Sequence, residues 1–141
     1  MAANDKEMKE KLISLAMEAR KKSYSPYSKY PVGAAVLAES GRIYTGCNIE
    51  NSSYGLTNCA ERTAIFKAVS EGEKKLLAIA IAAKASTPCG ACRQVMSEFA
   101  SADMPVYLVN MDEKTGKNEI IETTLGALLP LSFNKEEAGL L

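Results

Sequence analysis

The stretch LLAIAIAAKASTPCGAC, residues 76–92, joins an unbroken apolar run to a pair of cysteines. An apolar run of this length between polar segments is typical of a strand that is covered on both faces. Thr87 can cap a following helix, and Pro88 is favoured at the first position of one. The stretch therefore predicts a buried strand that leads into a helix, with Cys89 and Cys92 in the first helical turn.

Helical and extended patterns alternate on both sides of this stretch. Apolar residues recur with the helical period at residues 6–22, 59–70 and 124–129. Short runs bounded by turn-forming residues predict further strands at residues 32–39, 42–48, 105–109 and 119–122. We expect one α/β domain spanning residues 1–141, folded as a three-layer α/β/α sandwich around a central mixed five-stranded sheet.

Composition and charge argue against two classes of partner. The 17 basic residues balance the 17 acidic ones, and no basic block is longer than residues 20–22, so nucleic acid is not expected. No apolar run is long enough to cross a bilayer, and the polar residues 1–11 lack the apolar stretch of a signal peptide. We expect no membrane partner and a location in the cytoplasm.

The chain has four cysteines and no histidine. Inside a reducing compartment, closely spaced cysteines more often bind a metal or carry redox chemistry than form a disulfide framework. Without histidine, a transition-metal site must be built from thiolates and carboxylates. Cys89 and Cys92 are three residues apart, which on a helix places both sulfurs on one face within reach of a single ion.

Cys59 would begin a helix of its own, where unpaired main-chain N–H groups also favour a thiolate. Three thiolates on a tetrahedral zinc leave a fourth position for water, which distinguishes a catalytic site from a closed structural one. Glu61 could take a proton from such a water and pass it to a substrate nitrogen. Alternatively, Asn58 caps this helix and Glu61 completes a capping box.

Two arginines are candidates to offset the negative charge of three thiolates on one zinc ion. Arg62 follows Glu61 and Arg93 follows Cys92, so either guanidinium could donate hydrogen bonds to sulfur. The alternative for both is an ordinary solvated or salt-bridged arginine, which we favour more for Arg93 than for Arg62.

Cys47 decides between an open and a closed metal site. We expect its side chain to be a buried apolar group on a strand, as is usual for a free thiol. If its sulfur also bound zinc, the site would be a closed four-thiolate structural one. The chain would then be a non-catalytic zinc-stabilised interaction module.

Cys59-Ala60-Glu61, followed by the segment PCGAC at residues 88–92, resembles the signature of the zinc deaminases. The resemblance extends over residues 24–133 and is strongest for the small homotetrameric cytidine deaminases. The further motifs that carry it are YSPYS (24–28), PVGAA (31–35), NIEN (48–51) and CGACRQ (89–94). Together and in this order, these short motifs are specific for that family.

The resemblance implies hydrolytic deamination of cytidine and 2′-deoxycytidine to uridine and 2′-deoxyuridine with release of ammonia, a reaction of pyrimidine salvage. It implies a Zn²⁺ cofactor held by Cys59, Cys89 and Cys92, with Glu61 moving protons. It also implies a homotetramer with shared active sites and a nucleoside substrate. A related cytosine nucleotide or a nucleoside antibiotic is the alternative substrate.

The resemblance also assigns substrate contacts. Asn48 and Glu50 would bind the ribose hydroxyls, the N–H of Ala60 the base carbonyl, and the carbonyl of Thr87 the leaving amino group. Tyr30 stands where relatives often carry phenylalanine, so its ring provides an aromatic wall and its hydroxyl needs a partner.

Aromatic residues elsewhere receive different expectations. By the same resemblance, Phe133 would stack on the base from a neighbouring subunit, and Tyr54 would contribute at the same subunit boundary. Tyr24 and Tyr27 are expected to fill the core. Residues 134–141 match no pattern and are expected to form a loosely ordered tail.

Overall fold

The computed structural model describes the main chain of residues 2–140 and the side chains of residues 5–140. Met1 and Leu141, the two ends of the predicted domain, lie outside the described residues. The elements are α1 (Ala2–Arg20), β1 (Gly33–Ala38), β2 (Ile43–Cys47), a 3₁₀ turn (Tyr54–Leu56), α2 (Ala60–Ser70), β3 (Leu76–Ala83), α3 (Gly90–Phe99), β4 (Pro105–Met111), β5 (Asn118–Thr124) and α4 (Leu125–Leu128). None of the helices in this part of the chain is long and apolar enough to span a membrane.

The five strands form one mixed sheet in the order β2-β1-β3-β4-β5. β1 is antiparallel to both β2 and β3, β3 is parallel to β4, and β5 returns antiparallel to β4. A parallel pair needs a crossover connection, which α3 supplies between β3 and β4. The predicted mixed five-stranded sheet is confirmed.

The central strand β3 divides its side chains by size between the two faces of the sheet. Ile79 and Ile81 belong to the core on one face, whereas Ala78, Ala80 and Ala82 belong to the core on the other. Successive residues of a strand point to opposite faces, so an uninterrupted apolar run indicates cover on both. The strand predicted at residues 76–83 is confirmed with these bounds.

Helix α1 covers the alanine face of the sheet. Leu12 and Ala16 are fully buried in the core on that side. The contact is close where α1 crosses β1, because a Cβ atom at Gly33 would lie 2.1 Å from the carbonyl oxygen of Ala16 and 2.4 Å from the amide nitrogen of Arg20. Only glycine allows the helix backbone to rest on the strand at this point.

Helices α2 and α3 cover the opposite face. Ala64 and Ile65 of α2 and Met96 of α3 are fully buried there, in the same core as Val36 and Val106 of the sheet. With α1 on the other side, the sheet lies between two helical layers. The predicted three-layer sandwich is therefore confirmed.

Element boundaries differ from the predicted ones at the surface. α1 ends at Arg20, two residues earlier than expected, and the next two amides donate to the carbonyls of Glu18 and Ala19 in a final turn. β4 continues to Met111 and β5 begins at Asn118, because these two residues pair across the hairpin. Polar residues take part in this pairing, which the apolar pattern did not reveal.

The expectation that Tyr24 and Tyr27 fill the core is wrong. Their exposed fractions are 56% and 48%. Both belong to the connection between α1 and β1, which runs over the surface, and the ring of Tyr27 contacts the ring of Tyr54 edge to face at 5.8 Å. These tyrosines therefore pack outside the two cores.

The described part of the predicted loose tail is folded into turns. The amide of Ala138 donates to the carbonyl of Asn134 at 3.0 Å. Lys135 reaches α3, where its Nζ lies 3.0 Å from a carboxylate oxygen of Glu98. The expectation of a loose segment is thus wrong for residues 134–140, since these contacts attach it to α3.

We predict that Gly33→Ala lowers the free energy of unfolding by about 1–3 kcal/mol, because the added methyl group overlaps the α1 backbone. Gly55→Ala is the matched control, since a Cβ atom there meets nothing within 4 Å. Urea unfolding of both variants at equal zinc loading checks this. Equal midpoints for Gly33→Ala and the unmodified chain would contradict it.

Candidate metal centre

Two helices begin directly after a cysteine. Cys59 is the N-cap of α2, with φ −72° and ψ 154°, and Cys89 is the N-cap of α3, with φ −69° and ψ 167°. Neither side chain makes a capping hydrogen bond, so both sulfurs remain available to another partner. At a helix start, unpaired main-chain N–H groups and the helix dipole favour negative charge on these sulfurs.

The predicted Asn58 cap on α2 is wrong. The carbonyl of Cys59 accepts the first helical hydrogen bond, from the amide of Thr63 at 3.0 Å, so Cys59 is the residue that flanks the helix. The side chain of Asn58 instead donates to the hydroxyl of Thr63 at 3.1 Å. Glu61 becomes the second helical residue, a position that does not complete a capping box.

The predicted start of α3 is also wrong. Thr87 is not the cap and Pro88 is not the first helical residue, because the carbonyl of Cys89 accepts the first helical bond, from Arg93 at 3.1 Å. The helix begins at Gly90, so Cys92 is its third residue. Cys89 and Cys92 still share the start of one helix, as their spacing predicted.

Three of the four cysteine sulfurs form a cluster. The Sγ atoms of Cys59, Cys89 and Cys92 all lie within 4.8 Å of one another. The Cys59–Cys89 distance is 3.9 Å and the Cys89–Cys92 distance is 3.4 Å. A tetrahedral zinc with Zn–S bonds of about 2.3 Å would hold its thiolates about 3.8 Å apart. The sulfurs therefore fit one zinc ion and leave a fourth position for another ligand.

Cys47 does not belong to this cluster. It ends β2, is only partly buried, and its sulfur lies 3.4 Å from the carbonyl oxygen of Lys22. Among the described residues, the metal-ligating group consists of the other three cysteines alone. The closed four-thiolate arrangement has no support in this geometry.

Arg62 contacts the sulfur cluster and Arg93 does not. The Nη2 atom of Arg62 donates to the sulfur of Cys59 at 3.3 Å. Arg93 donates instead to main-chain carbonyls, from Nε to Pro88 at 2.9 Å and from Nη1 to Leu128 at 2.6 Å. Arg62 is thus the guanidinium placed to offset thiolate charge, whereas Arg93 ties the start of α3 to the end of α4.

One thiol of the cluster ionises more easily than an ordinary cysteine. Interaction with Cys92 is the main cause that lowers the pKa of Cys59 to about 5; burial opposes this shift, and the Arg62 guanidinium adds to it. The same interaction with Cys59, together with burial, raises the pKa of Cys92. Metal ligands must be deprotonated, so a divalent cation bound by these sulfurs would displace their protons.

Glu61 is a buried carboxyl group beside the cluster, with only 4% of its surface exposed. Burial is the main cause that raises its pKa, and the charge of Cys59 raises it further. Cys59, Cys92 and Arg62 all influence the pKa of this carboxyl group, which places it near the sulfurs. The extended backbone of Cys59 explains this proximity, because the angle between two positions inside a helix does not apply to an N-cap residue.

The side chain of Asn48 makes three hydrogen bonds within the chain, two of them to the main chain. Its Oδ1 atom accepts from the amide of Val32 at 2.9 Å and from the hydroxyl of Ser23 at 2.5 Å. Its Nδ2 atom donates to the carbonyl of Tyr30 at 2.8 Å. An amide nitrogen carries two protons, so Asn48 keeps one donor for a further partner.

Glu50 holds the connection that carries Tyr27 and Ser28. One carboxylate oxygen accepts both of their amides at 3.0 Å, and the other accepts the hydroxyl of Ser28. The Ser28 hydroxyl is the main cause that lowers the pKa of Glu50, so its charge persists into mildly acidic solution. Sequence reasoning missed Ser28, whose side-chain contact no spacing pattern signals.

The hydroxyl of Tyr30 has a partner within the chain. It donates to the carbonyl of Ala85 at 2.7 Å and accepts from the amide of the same residue at 2.6 Å. This pair of bonds meets the need for a partner that the sequence predicted. The hydroxyl is therefore committed to the connection between β3 and α3.

The other predicted substrate contacts differ in exposure. Ala60 is the first residue of α2 and fully buried, so its N–H belongs to the set that helix geometry leaves without an intrahelical acceptor. Thr87 is exposed next to Pro88. Tyr54 and Phe133 are 75% and 67% exposed, and neither belongs to the core clusters of this chain.

A second interaction near Thr87 was missed by sequence reasoning. Ser86 is buried, and both its amide and its hydroxyl donate to Oδ1 of Asn110, at 2.9 and 2.8 Å. The two residues are 24 positions apart in the sequence, and only the fold brings them together. An isolated serine and asparagine at this separation give no recognisable signal.

An open cavity of about 940 Å³ lies at the end of the sheet where β4 turns into β5. Tyr30, Lys84 and Asn110 line it, but none of the three clustered cysteines does. Size alone would favour this cavity as a binding site. We assign the candidate site to the sulfur cluster because its chemistry, three thiols beside a buried carboxyl group, is specific.

The chain matches a family model described as the cytidine and deoxycytidylate deaminase zinc-binding region, over residues 6–108. It is 56% identical over 131 residues to the cytidine deaminase of Sporosarcina psychrophila, covering 91% of this chain and 93% of that protein. It is 51% identical over 129 residues to the cytidine deaminase of Halalkalibacterium halodurans, covering 89% and 94%.

Solved structures give the same result for the fold. The crystal structure of cytidine deaminase from Burkholderia pseudomallei has a TM-score of 0.80 at 44% identity, covering 88% of this chain and 98% of that one. The crystal structure of cytidine deaminase from Mycobacterium tuberculosis has a TM-score of 0.72 at 38% identity, covering 88% and 95%. The family-model match over residues 6–108 includes both helix starts that carry the cysteines.

We predict that the purified protein holds one zinc ion per chain and that Cys89→Ser and Cys92→Ser abolish this stoichiometric binding, since each removes a clustered sulfur. Cys47→Ser is the matched control and should retain zinc, because its sulfur lies outside the cluster. Metal analysis after dialysis checks this. Loss of zinc from Cys47→Ser would contradict the three-sulfur assignment.

Proposed function

The chain belongs to the cytidine and deoxycytidylate deaminase zinc-binding family, and from this membership we propose that it hydrolyses cytidine and 2′-deoxycytidine. The products are uridine and 2′-deoxyuridine, with one molecule of ammonia released for each water consumed. The observation that carries the proposal is the buried carboxyl group of Glu61 beside three clustered thiols. A carboxyl group in this position can move protons where a metal activates water.

Zinc is the cofactor that this site would hold, through Cys59, Cys89 and Cys92. When bound, zinc supplies Lewis-acid activation of a water molecule. Arg62 offsets part of the charge of the thiolates by donating to the sulfur of Cys59. The absence of histidine from the chain is consistent with a ligand set made entirely of thiolates.

Glu61 moves the protons of the reaction. It takes a proton from the attacking water and delivers it to N3 of the cytosine ring, which makes C4 more electrophilic. It then carries a proton to the amino group as the C4–N bond breaks, so that ammonia leaves. Burial raises the pKa of this carboxyl group, which favours the protonated form that must donate to N3.

Main-chain groups at the two helix starts hold the base. The N–H of Ala60, at the start of α2, donates to the C2 carbonyl of the base. The carbonyl of Thr87, two residues before Cys89, accepts from the amino group that leaves. Both contacts would recognise cytosine by its hydrogen-bonding edge. What supports them is that each group lies within two residues of a clustered cysteine in the sequence.

The ribose is held by Asn48 and Glu50. Asn48 keeps one N–H for a sugar hydroxyl, and Glu50 keeps a charged oxygen that accepts strongly from a hydroxyl donor. The ring of Tyr30 forms an aromatic wall of the same pocket, with its hydroxyl turned to Ala85. These three residues favour a nucleoside over the free base.

The active enzyme is a homotetramer in which neighbouring subunits complete each site. Phe133 and Tyr54 are largely exposed on the single chain, and Leu56 is 72% exposed in the same 3₁₀ turn as Tyr54. Exposed apolar side chains of this size support contact with another chain. Phe133 stacks on the base of a neighbour, and Tyr54 lies at the same boundary.

The reaction belongs to pyrimidine salvage, since it converts one pyrimidine nucleoside into another without making a new ring. We place it in the cytoplasm, where reduced thiols can bind zinc. Neither nucleic acid nor a membrane takes part, and the balance of 17 basic and 17 acidic residues supports a small neutral substrate.

We predict that Glu61→Gln retains the fold and the zinc but lowers kcat for cytidine by roughly 10²–10⁴-fold, because an amide cannot carry the proton. The loss of cytidine absorbance, measured together with metal content, checks this. Glu71→Gln, an exposed change at the other end of α2, is the matched control and should keep full activity. The same assay with the 5′-monophosphates separates nucleoside from nucleotide substrates.

A zinc-loaded Glu61→Gln variant with undiminished turnover would refute the assignment of Glu61. A zinc-loaded unmodified protein without activity on any cytosine compound would refute the proposed function as a whole.

We predict that light scattering finds four chains per particle and that Phe133→Ala raises KM for cytidine by roughly tenfold, because a stacking contact of about 1–3 kcal/mol is lost. Leu140→Ala is the matched control, since Leu140 has the same exposed fraction as Phe133. A fully active monomer, or an unchanged KM in Phe133→Ala, would contradict the shared site.

A further inference from the structure

The connection between β3 and α3, residues 84–88, carries a group that matters to the proposed reaction. This segment, named here the 84–88 loop, leaves the sheet after Ala83 and ends at Cys89. Thr87 lies within it, and its carbonyl is the acceptor assigned to the leaving amino group. The position of that carbonyl therefore depends on what holds the loop.

Asn110, on the neighbouring strand, binds this loop through hydrogen bonds. It lies near the carboxyl end of β4, directly beside Ala83 in the parallel pairing of β3 and β4. Its Oδ1 atom accepts the amide of Ser86 at 2.9 Å and the hydroxyl of Ser86 at 2.8 Å. Ser86 is only 2% exposed, so water has little access to replace these bonds.

The orientation of the Asn110 amide is set by its other partner. Its Nδ2 atom donates to Oε1 of Glu119 at 3.3 Å, and Glu119 faces Asn110 in the β4–β5 pairing. With a carboxylate on one side and two donors on the other, only one orientation of the amide satisfies all three contacts. Glu119 thus directs the oxygen of Asn110 towards Ser86.

Side chains fix the loop on both sides of Thr87. Before Thr87, the hydroxyl of Tyr30 binds the amide and the carbonyl of Ala85, and Asn110 binds Ser86. After Thr87, Arg93 donates to the carbonyl of Pro88. In the described main chain (residues 2–140) and the described side chains (residues 5–140), no group donates a hydrogen bond to the carbonyl of Thr87. The main chain is therefore immobilised around a carbonyl that remains available to a substrate.

We propose that Asn110 is a positioning residue of the deamination, which holds the Thr87 carbonyl in line with the leaving amino group by binding both donors of Ser86. The inference rests on the proposed function, since it concerns the same site. It assigns a role to a residue that contacts neither the sulfur cluster nor, in the proposed binding mode, the substrate.

Asn110→Leu removes the acceptor while keeping a side chain of similar size. We expect kcat for cytidine to fall on the order of 100-fold, since a small displacement of a group that contacts the reacting amine is costly. KM should change much less, because the lost contact matters most as the amine departs. Zinc content should stay at one ion per chain, because the three sulfurs are untouched.

Hydrogen exchange gives a measurement that does not depend on turnover. In zinc-loaded Asn110→Leu, the Ser86 amide should exchange roughly tenfold faster than in the unmodified protein, because its hydrogen bond is lost. Asn118→Leu is the matched control, since Asn118 is an exposed asparagine of β5 outside this network. It should leave kcat, KM and the exchange of Ser86 unchanged.

A paired substitution tests rescue. In Asn110→Asp with Glu119→Gln, a carboxylate at position 110 still accepts both donors of Ser86 and also accepts from the amide introduced at position 119. We expect kcat within about tenfold of the unmodified enzyme, the scale of one neutral hydrogen bond.

If Asn110→Leu does not fold, Ser86→Ala replaces it, with an expected loss in kcat of about fivefold.

Three outcomes would overturn the inference about Asn110. They are an unchanged kcat in a zinc-loaded Asn110→Leu protein, an unchanged exchange rate at Ser86, and a paired variant as impaired as Asn110→Leu. The first of these outcomes, if it came with a lower unfolding midpoint, would show a merely structural role. If the unmodified protein fails to deaminate cytidine, the proposed function fails instead, and with it any role of Asn110 in that reaction.

Discussion

The structure depends on bringing three sulfur atoms from two separate helix starts to within 4.8 Å of one another. Cys59 and Cys89 are each the last extended residue before a helix, so the ends of α2 and α3 must point at the same place. Both helices rest on one face of the sheet, and the sheet fixes their separation. The metal centre is therefore a property of the packing of two helices as much as of the cysteines themselves.

Close packing against β2 fixes the position of α2. A Cβ atom at Gly46 would lie 2.5 Å from the amide nitrogen of Ala64 and 2.8 Å from the carbonyl oxygen of Ala60, so the helix backbone lies directly on the strand. Part of the thiolate charge is offset at the same end of α2, where Arg62 donates to Cys59. Buried Glu61 lies between them in the chain, and burial is the main cause that raises its pKa.

The sequence predicted the parts of the structure that depend on local chemistry. The apolar run of residues 76–83 gave a strand with the correct bounds, and the spacing of Cys89 and Cys92 gave two sulfurs at one helix start. The helix caps were not predicted. By sequence, Asn58 and Thr87 are better N-cap residues than a cysteine, and the positions of Cys59 and Cys89 depend on where the fold brings their sulfurs together. The contact of Ser86 with Asn110 was unpredictable for the same reason, since it exists only once β3 and β4 are paired.

The division of β3 into an isoleucine face and an alanine face limits which substitutions this strand can accept. On the α1 side, Ala80 and Ala82 are fully buried beneath a helix. A larger side chain at either position would overlap packed atoms of α1 and lower the stability of the fold. On the α2 and α3 side, Ile79 and Ile81 fill space that smaller replacements would leave empty, at about 0.5–1.5 kcal/mol for each change to valine. Mutational tolerance is thus opposite on the two faces of one strand. Large side chains are excluded on the α1 side and required on the α2 and α3 side.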